Sequence, residues 1–396
     1  MRKTKRMMVP GIAALAGLVA LGLSGTAFAF HEGGVAHCDG CHSMHNSPDN
    51  PIEGTGNETL LKGSDASSTC LNCHAGAGSP TSYHIMSTNG SVWSPGGDFF
   101  WLTQSYTWVG RSGTETSNPD NVGHNVIAID YTLTVDGTNT TAPGGTYAAA
   151  DLGCNSCHDP HGQVNGGATA PISVSGSYGE EPPAGTIAGN YRLLGDAAYG
   201  LTAAPTAVIS ETGSNGKYGE TNDHHVAYGS NMSEWCKSCH STISDNSNKH
   251  PAGNGELLSQ TAGGSNTMAY NYNRYVETGD LGGDVSTSYL ALVPFEIGAA
   301  ATRADLLARS ESTEGPDGDS NVMCLTCHRA HASAFNNIMR WDSETELLAD
   351  SLPGPDQLTA MGVTDPTAPY YGRVIGDGGD FGEYQRSLCN KCHVKD

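Results

Sequence analysis

Once its first two dozen residues are passed, this sequence has no long hydrophobic run. Only 37% of the 396 residues are apolar, and phenylalanine occurs seven times. Charged residues are also scarce at 15%, against about 25% in an ordinary globular chain. Bases are the scarcer sign, with 19 lysines and arginines against 41 acids. Each shortage excludes something. Aliphatic side chains are too few to fill a core of the usual kind. No apolar stretch beyond the N-terminus is long enough to span a bilayer. The formal charge of −22 opposes binding to nucleic acid or to an anionic membrane. Glycine, by contrast, is abundant at 52 residues, nearly twice its usual share of about 7%. Such a composition favours loops over regular elements.

The one apolar run lies at the N-terminus. Arg2, Lys3, Lys5 and Arg6 precede an apolar stretch over 7–23, and small residues then lead to Ala27-Phe28-Ala29. A basic start, an apolar middle and an A-x-A site mark a secretory signal peptide over 1–29. The mature chain is expected to begin at Phe30 and to carry no transmembrane segment. Residues 1–29 hold four bases and no acid, so 30–396 carry a formal charge of −26.

All twelve cysteines fall within six copies of C-x-x-C-H. They are Cys38-Asp-Gly-Cys41-His42, Cys70-Leu-Asn-Cys73-His74, Cys154-Asn-Ser-Cys157-His158, Cys236-Lys-Ser-Cys239-His240, Cys324-Leu-Thr-Cys327-His328 and Cys389-Asn-Lys-Cys392-His393. From the composition alone, about 0.015 such matches are expected by chance. Disulfides or zinc pairs do not demand a histidine after every second cysteine. Covalent haem does: two thiols add across the porphyrin vinyl groups, and the adjacent histidine reaches the iron from the same side. Six haems c are therefore expected. They also resolve the shortage of apolar side chains. Burying one porphyrin contributes on the order of 10 kcal/mol at about 25 cal/mol per Å². The expected fold is mostly irregular, loop-rich with short helices and few strands, a multihaem cytochrome c organisation in which 30–396 form a single domain.

Ten histidines remain for the second axial positions: His31, His37, His45, His84, His124, His161, His224, His225, His250 and His331. Six suffice for bis-histidine ligation throughout, with methionine the competing ligand. His45, His161 and His331 each follow a proximal histidine by three residues, in CHSMH, CHDPH and CHRAH. Three residues span at most about 10 Å, too little to pass round a porphyrin edge. An iron bound by any of these three must belong to a different haem. His84, His124 and His250, alone in polar or glycine-flanked loops, are further distal candidates, as is His31. His37 is sterically awkward for iron and better placed to meet a propionate. His224 and His225 read as surface or propionate-facing residues.

Local patterns predict helices over 302–311 and 343–351, a strand over 125–135 and a weaker strand over 99–109. Ala142-Pro143-Gly144-Gly145 marks a turn. Trp101, Tyr106 and Trp108 are expected to cover porphyrin faces rather than to relay electrons.

Beyond the motifs, long strings of the mature chain resemble the nanowire-forming family of extracellular hexahaem cytochromes. The resemblance begins at FHEGGVAHCDGCHSMHN and continues through SYHI, GHNV, TAPGGTY, CHDPHG, YRLLG, VAYGSNMSEWCKSCH and HPAGNG. It ends with YLALVPFEIG, CLTCHRAHAS, YYGR and YQRSLCNKCHVKD, while several intervening loops depart from the pattern. It implies a protein of the outer surface of a bacterium whose subunits stack head to tail into a conductive filament. It further implies that His45 binds the haem of a neighbouring subunit held there by Cys324, Cys327 and His328. The partners implied are the chain itself, other cytochromes and extracellular electron acceptors. Two alternatives compete with the filament. One is a monomeric electron shuttle or conduit component, which needs the same haems. The other is a multihaem reductase, which needs an iron with an open position, often beside a motif ending in lysine. All six motifs here end in histidine, which favours electron transfer over enzymatic chemistry.

Overall fold

Six short helical turns carry the cysteine motifs, and loops fill most of the space between them. The structure is a computed structural model that describes residues 38–43, 60–78, 83–160, 191–195, 197–210, 220–243, 251–261, 264–284, 288, 293–376 and 378–394. Among these lie helices α1 (Cys38–Cys41), α2 (Ala66–His74), α3 (Cys154–Cys157), α4 (Met232–Cys236), α5 (Met268–Tyr272), α6 (Arg303–Ser310), α7 (Cys324–Cys327), α8 (Pro355–Ala360) and α9 (Asn390–His393). The strands are β1 (Thr107–Gly110), β2 (Gly113–Thr116), β3 (Thr206–Ile209) and β4 (Val226–Ser230), paired antiparallel as β1–β2 and β3–β4. The loop-rich class expected from composition is what the chain adopts. No helix of the described residues is long and apolar enough to cross a membrane. The signal segment 1–29 lies outside them.

The helices owe their ends to hydroxyls and carboxylates. Asp65 caps α2 by accepting the Ser68 N–H at 2.7 Å. In α3 and α7 the residue before the second cysteine closes the turn. The Gly153 N–H donates to Ser156 Oγ at 2.9 Å, and the Met323 N–H to Thr326 Oγ1 at 3.1 Å. Helix α6 begins as its sequence predicts. Thr302 Oγ1 accepts from the Asp305 N–H at 3.3 Å while Asp305 accepts from the Thr302 N–H at 2.9 Å, a reciprocal cap. Leu306 is the buried apolar residue of α6, which packs against β3 and β4.

Three local expectations are corrected. Segment 125–135 is a sharp reversal rather than a strand. Ile129–Tyr131 form a 3-10 turn, Thr132 takes a left-handed φ of 60°, and Ala128 pairs back with Leu133. The backbone of this segment is held by α2 instead of a neighbouring strand: Ile129 N–H donates to Asp65 Oδ2 at 2.8 Å and Asp130 N–H to Ser68 Oγ at 3.2 Å. Segment 343–351 holds only the 3-10 turn Leu348–Asp350, because Leu347 pairs with Arg386 and the Leu348 N–H donates to Gln385 O at 2.9 Å. In 99–109, Asp98 caps a 3-10 helix over Phe99–Thr103, and strand geometry starts at Thr107.

The protein part of the core is aromatic. Phe99, Phe100, Trp101, Tyr272, Phe295, Phe335, Trp341, Tyr370 and Phe381 are buried in one cluster. Trp101 meets Phe100 edge-on at 5.2 Å and so packs against protein. A smaller cluster gathers Tyr191, Tyr228, Met232, Met323 and Leu325 behind α4 and α7.

A buried carboxyl sets one pH response of this fold. Glu296 is fully buried, with Oε1 accepting the Met232 N–H at 2.7 Å at the start of α4. Burial pushes its pKa up to about 7. A raised carboxyl pKa gives stability that is complete below the unfolded value near 4.5 and lost as pH rises towards 7. Glu296→Gln keeps an acceptor for Met232 and removes the titration. The variant is expected to gain about 2 kcal/mol at pH 8 relative to pH 5 in denaturant unfolding. A gain of equal size at both pH values would count against it.

Candidate haem sites

Each described proximal histidine for which a ring bond is resolved gives Nδ1 to a backbone carbonyl. The acceptors are Tyr83 O for His74 at 3.3 Å, Arg192 O for His158 at 2.8 Å, Pro143 O for His240 at 2.8 Å and Asn337 O for His328 at 2.7 Å. A carbonyl cannot donate, so Nδ1 carries the proton and Nε2 keeps its lone pair for a metal. Two distal candidates are fixed alike, His84 on Ala77 O at 3.0 Å and His124 on Ala330 O at 2.8 Å. Burial holds the pKa of His74, His124, His158 and His328 below the usual histidine range. His331 is pushed down to about 3 by burial and by neighbouring His158. All are neutral at physiological pH, as ligation requires.

Two distal candidates face proximal histidines. His158 and His331 have ring centres 6.3 Å apart, and His124 and His240 6.0 Å apart. Imidazoles bound at about 2 Å on opposite sides of one metal place their ring centres about 6 Å apart. The residues present therefore fit a haem at each of these two places. His331, three residues after His328, stands opposite His158 of a different motif, as the short tether of CHRAH demands. Its ring stacks on Phe99 at 4.9 Å and lies over Gly96, where a Cβ would come within 2.7 Å of Nδ1. Gly96→Ala is accordingly expected to displace the ring and convert about one sixth of the haem to a high-spin ferric signal in electron paramagnetic resonance. A wholly low-spin spectrum would show that the ring has room.

The odd-numbered motifs share one backbone module that the sequence did not reveal. After each C-H-x-x-H the chain departs and returns as an aliphatic pair, Leu60-Leu61, Leu193-Leu194 or Ile338-Met339. In the first copy Ser43 N–H donates to Leu60 O at 2.7 Å and Lys62 N–H to Cys41 O at 2.9 Å. In the second, Asp159 N–H donates to Leu193 O at 2.7 Å and Gly195 N–H to Cys157 O at 2.9 Å. In the third, Arg329 N–H donates to Ile338 O and Arg340 N–H to Cys327 O, both at 2.8 Å. Leu60, Leu193 and Ile338 all take positive φ, between 56° and 57°, which turns a carbonyl toward the motif. The only shared sequence signal is the aliphatic pair itself. The fourth motif is held differently, by the turn read at Ala142-Pro143-Gly144-Gly145, which lends Pro143 O to His240 and Gly144 O to the Thr242 N–H at 2.7 Å.

Adjacent motifs are stapled by single hydroxyls. Ser67, three residues before Cys70, accepts the Cys154 N–H at 2.9 Å, and Ser233, three residues before Cys236, accepts the Cys324 N–H at 3.0 Å. The thiols of Cys70 and Cys154 thereby come into hydrogen-bonding contact, as do those of Cys236 and Cys324. The second and third sites are thus clamped edge to edge, and the fourth and fifth in the same way.

Other expected residues take varied places. Cys41, Cys73, Cys239, Cys327, Cys389, Cys392, His42 and His393 lie in their motif turns. His31, His37, His45, His161 and His250 lie outside the described residues, as does the side chain of Cys38. His224 is half-buried with Nδ1 3.1 Å from Asp223 Oδ1. His225 is not a surface residue: it is 4% exposed, and burial lowers its pKa to about 4.

Cysteine pairs on helical turns, carbonyl-anchored proximal histidines and opposed distal imidazoles together define a multihaem c-type cytochrome. The chain is 40% identical over 422 aligned residues to the C-type cytochrome OmcS of Geobacter sulfurreducens, covering 93% of this chain and 95% of that one. Two solved structures are similar to it with a TM-score of 0.75: the Outer Membrane Cytochrome S filament from the same organism, at 39% identity, and the OmcS nanowires determined by cryo-electron microscopy, at 38%. Each covers 92% of this chain and is itself covered completely. No family model matches. The chain belongs to the OmcS family of c-type cytochromes.

Proposed function

We propose that this protein carries electrons outside the cell through six bis-histidine haems c, and that its subunits polymerise head to tail so that the haems continue from one to the next. Haem supplies a one-electron couple; the polypeptide supplies attachment, ligation and spacing. The observation that carries the reading is the opposition of His331 to His158 at 6.3 Å. The histidine of the third C-H-x-x-H copy serves the site of the second. The same offset assigns His161 of the second copy to His42 of the first. His45 then has no earlier copy within its own chain, and its partner is the last copy, His328, of another subunit. Such an interface is heterologous and does not close on itself, so it generates a filament.

The other motifs follow a second offset. His124 precedes the third motif and opposes His240 of the fourth. By that rule His250 serves His393 and His31 serves His74, while His84 stands beside the second motif, bonded to Ala77 O. Two imidazoles on every iron leave no position for a substrate, which supports electron transfer over catalysis and keeps the potentials low. The hydroxyl staples at Ser67 and Ser233 hold neighbouring sites at the close range that hopping needs. Secretion after cleavage near Phe30 and a single haem-organised domain over 30–396 complete the proposal.

The test is made on secreted protein. Intact mass is expected to give the polypeptide over 30–396 plus six haems, the spectrum to be wholly low-spin, and electron microscopy to show filaments. Monodisperse particles with six haems would overturn the polymer, and a high-spin fraction would overturn complete ligation.

A further inference from the structure

One stretch of chain serves two haem sites at once. Residues 330–333 follow the fifth motif, and His331 within them opposes His158 at the third site. Their backbone also holds the distal candidate of the fourth. Ala330 O accepts the Nδ1–H of His124 at 2.8 Å, and His331 O accepts the backbone N–H of His124, also at 2.8 Å. His124 in turn opposes His240. A displacement of this stretch therefore moves both distal imidazoles.

Two loops flank the stretch, and Ala332 bridges to both, at Gly97 and at Gly123. In the loop over 122–124, Val122 O accepts the Ser333 N–H at 2.9 Å. In the loop over 94–99, Gly96 O accepts the Ala330 N–H at 3.0 Å and the His331 N–H at 2.6 Å, while the Asp98 N–H donates to Ala332 O at 3.2 Å. Gly97, at a φ of 99°, lies so close that a Cβ there would fall 1.9 Å from Ala332 O. Phe99 adds the ring that stacks on His331.

This second loop is tied by a single carboxyl. Asp98 is 0% exposed. Its Oδ1 accepts the N–H groups of Ser87 and Phe100, each at 2.9 Å. Its Oδ2 accepts the Ser87 hydroxyl at 2.5 Å and the Val92 N–H at 3.4 Å. Four donors from three points of the chain thus converge on one side chain whose own N–H reaches Ala332. Buried donors left without an acceptor are costly, so removing the carboxyl forces this loop to rearrange.

We propose that Asp98 is a positioning residue for two haems, fixing the distal ligands of the third and fourth sites together through the stretch that carries Ala330 and His331. This rests on the bis-histidine reading above. The shared mount keeps ligation at the two sites in step.

The test is made on full-length ferric protein, with haems counted by intact mass. Asp98→Ala is expected to convert about one third of the haem, two of six, to a high-spin signal in electron paramagnetic resonance. Gly96→Ala, which reaches only the His331 ring, is the one-haem comparison. Asp98→Asn leaves an oxygen for the Ser87 and Phe100 N–H groups and is expected to restore most of the low-spin signal. Ser87→Ala deletes one donor and reports even where Asp98→Ala gathers fewer than six haems. It is expected to shift the low-spin g-values of two haems and leave four unchanged. A change confined to one haem would overturn the shared mount. Changes spread over all six, or none in either Asp98→Ala or Ser87→Ala, would overturn the positioning role while leaving the haem chain intact. High-spin haem in the unsubstituted protein would instead overturn the reading beneath it.

Discussion

Replacing His45 by alanine is expected to leave six haems on every polypeptide yet lower the yield of filaments at least about tenfold, the factor that 1.4 kcal/mol of interface free energy already produces. The expectation follows from a count of histidine offsets. His331 opposes the site of the preceding C-H-x-x-H copy, and His45 belongs to the first copy, which has no predecessor in its own chain. On the proposed pairing, removing its imidazole deprives the iron at His328 in each neighbour of its second ligand. Dispersed His45→Ala subunits should therefore show about one high-spin haem in six by electron paramagnetic resonance. Normal filaments from this variant in electron micrographs would remove the inter-subunit role. The control is His331→Ala, which should give the same high-spin fraction while filaments persist, because its partner His158 lies in the same chain.

The second large effect concerns the fold itself. The double substitution Cys154→Ala/Cys157→Ala removes the attachment points of the third haem. Losing one porphyrin from the interior forfeits on the order of 10 kcal/mol, comparable to the whole stability of a domain. The loss strikes two neighbours at once, since α3 is stapled to α2 through Ser67 and its haem site reaches His331. Little folded protein is expected to accumulate, and what is recovered should be rapidly cleaved by a nonspecific protease. A five-haem protein with an unchanged thermal midpoint would show that side chains, not porphyrins, hold the interior together.

Much of the chemistry was legible in the residues. Cysteine spacing named the cofactor, and the three-residue tether of His331 pointed away from its own motif, where its ring stands 6.3 Å from that of His158. Thr302 and Asp305 announced the start of α6, and the proline-glycine turn at 142–145 was placed correctly. What stayed hidden were contacts between distant parts of the chain. Nothing in Pro143 says that its carbonyl will anchor His240, nearly one hundred residues later. Segment 125–135 has the β-branched pattern of a strand, but the carboxylate of Asp65 and the hydroxyl of Ser68 capture its backbone before any strand can. The pairing of Leu347 with Arg386 likewise defeats a helix that local periodicity favours. Local propensity lost wherever a distant partner claimed the backbone first.

The aliphatic-pair module separates what must be constant from what need not be. Its bonds agree to about 0.1 Å among the three copies, although the chain between proximal histidine and returning pair is nearly four times as long in the second copy as in the third. Length is therefore decoupled from register. Peptides inserted between the two anchors, after the second histidine of each C-H-x-x-H, are therefore expected to leave the hydrogen bonds of the module in place, so loop length and motif geometry are free to diversify independently.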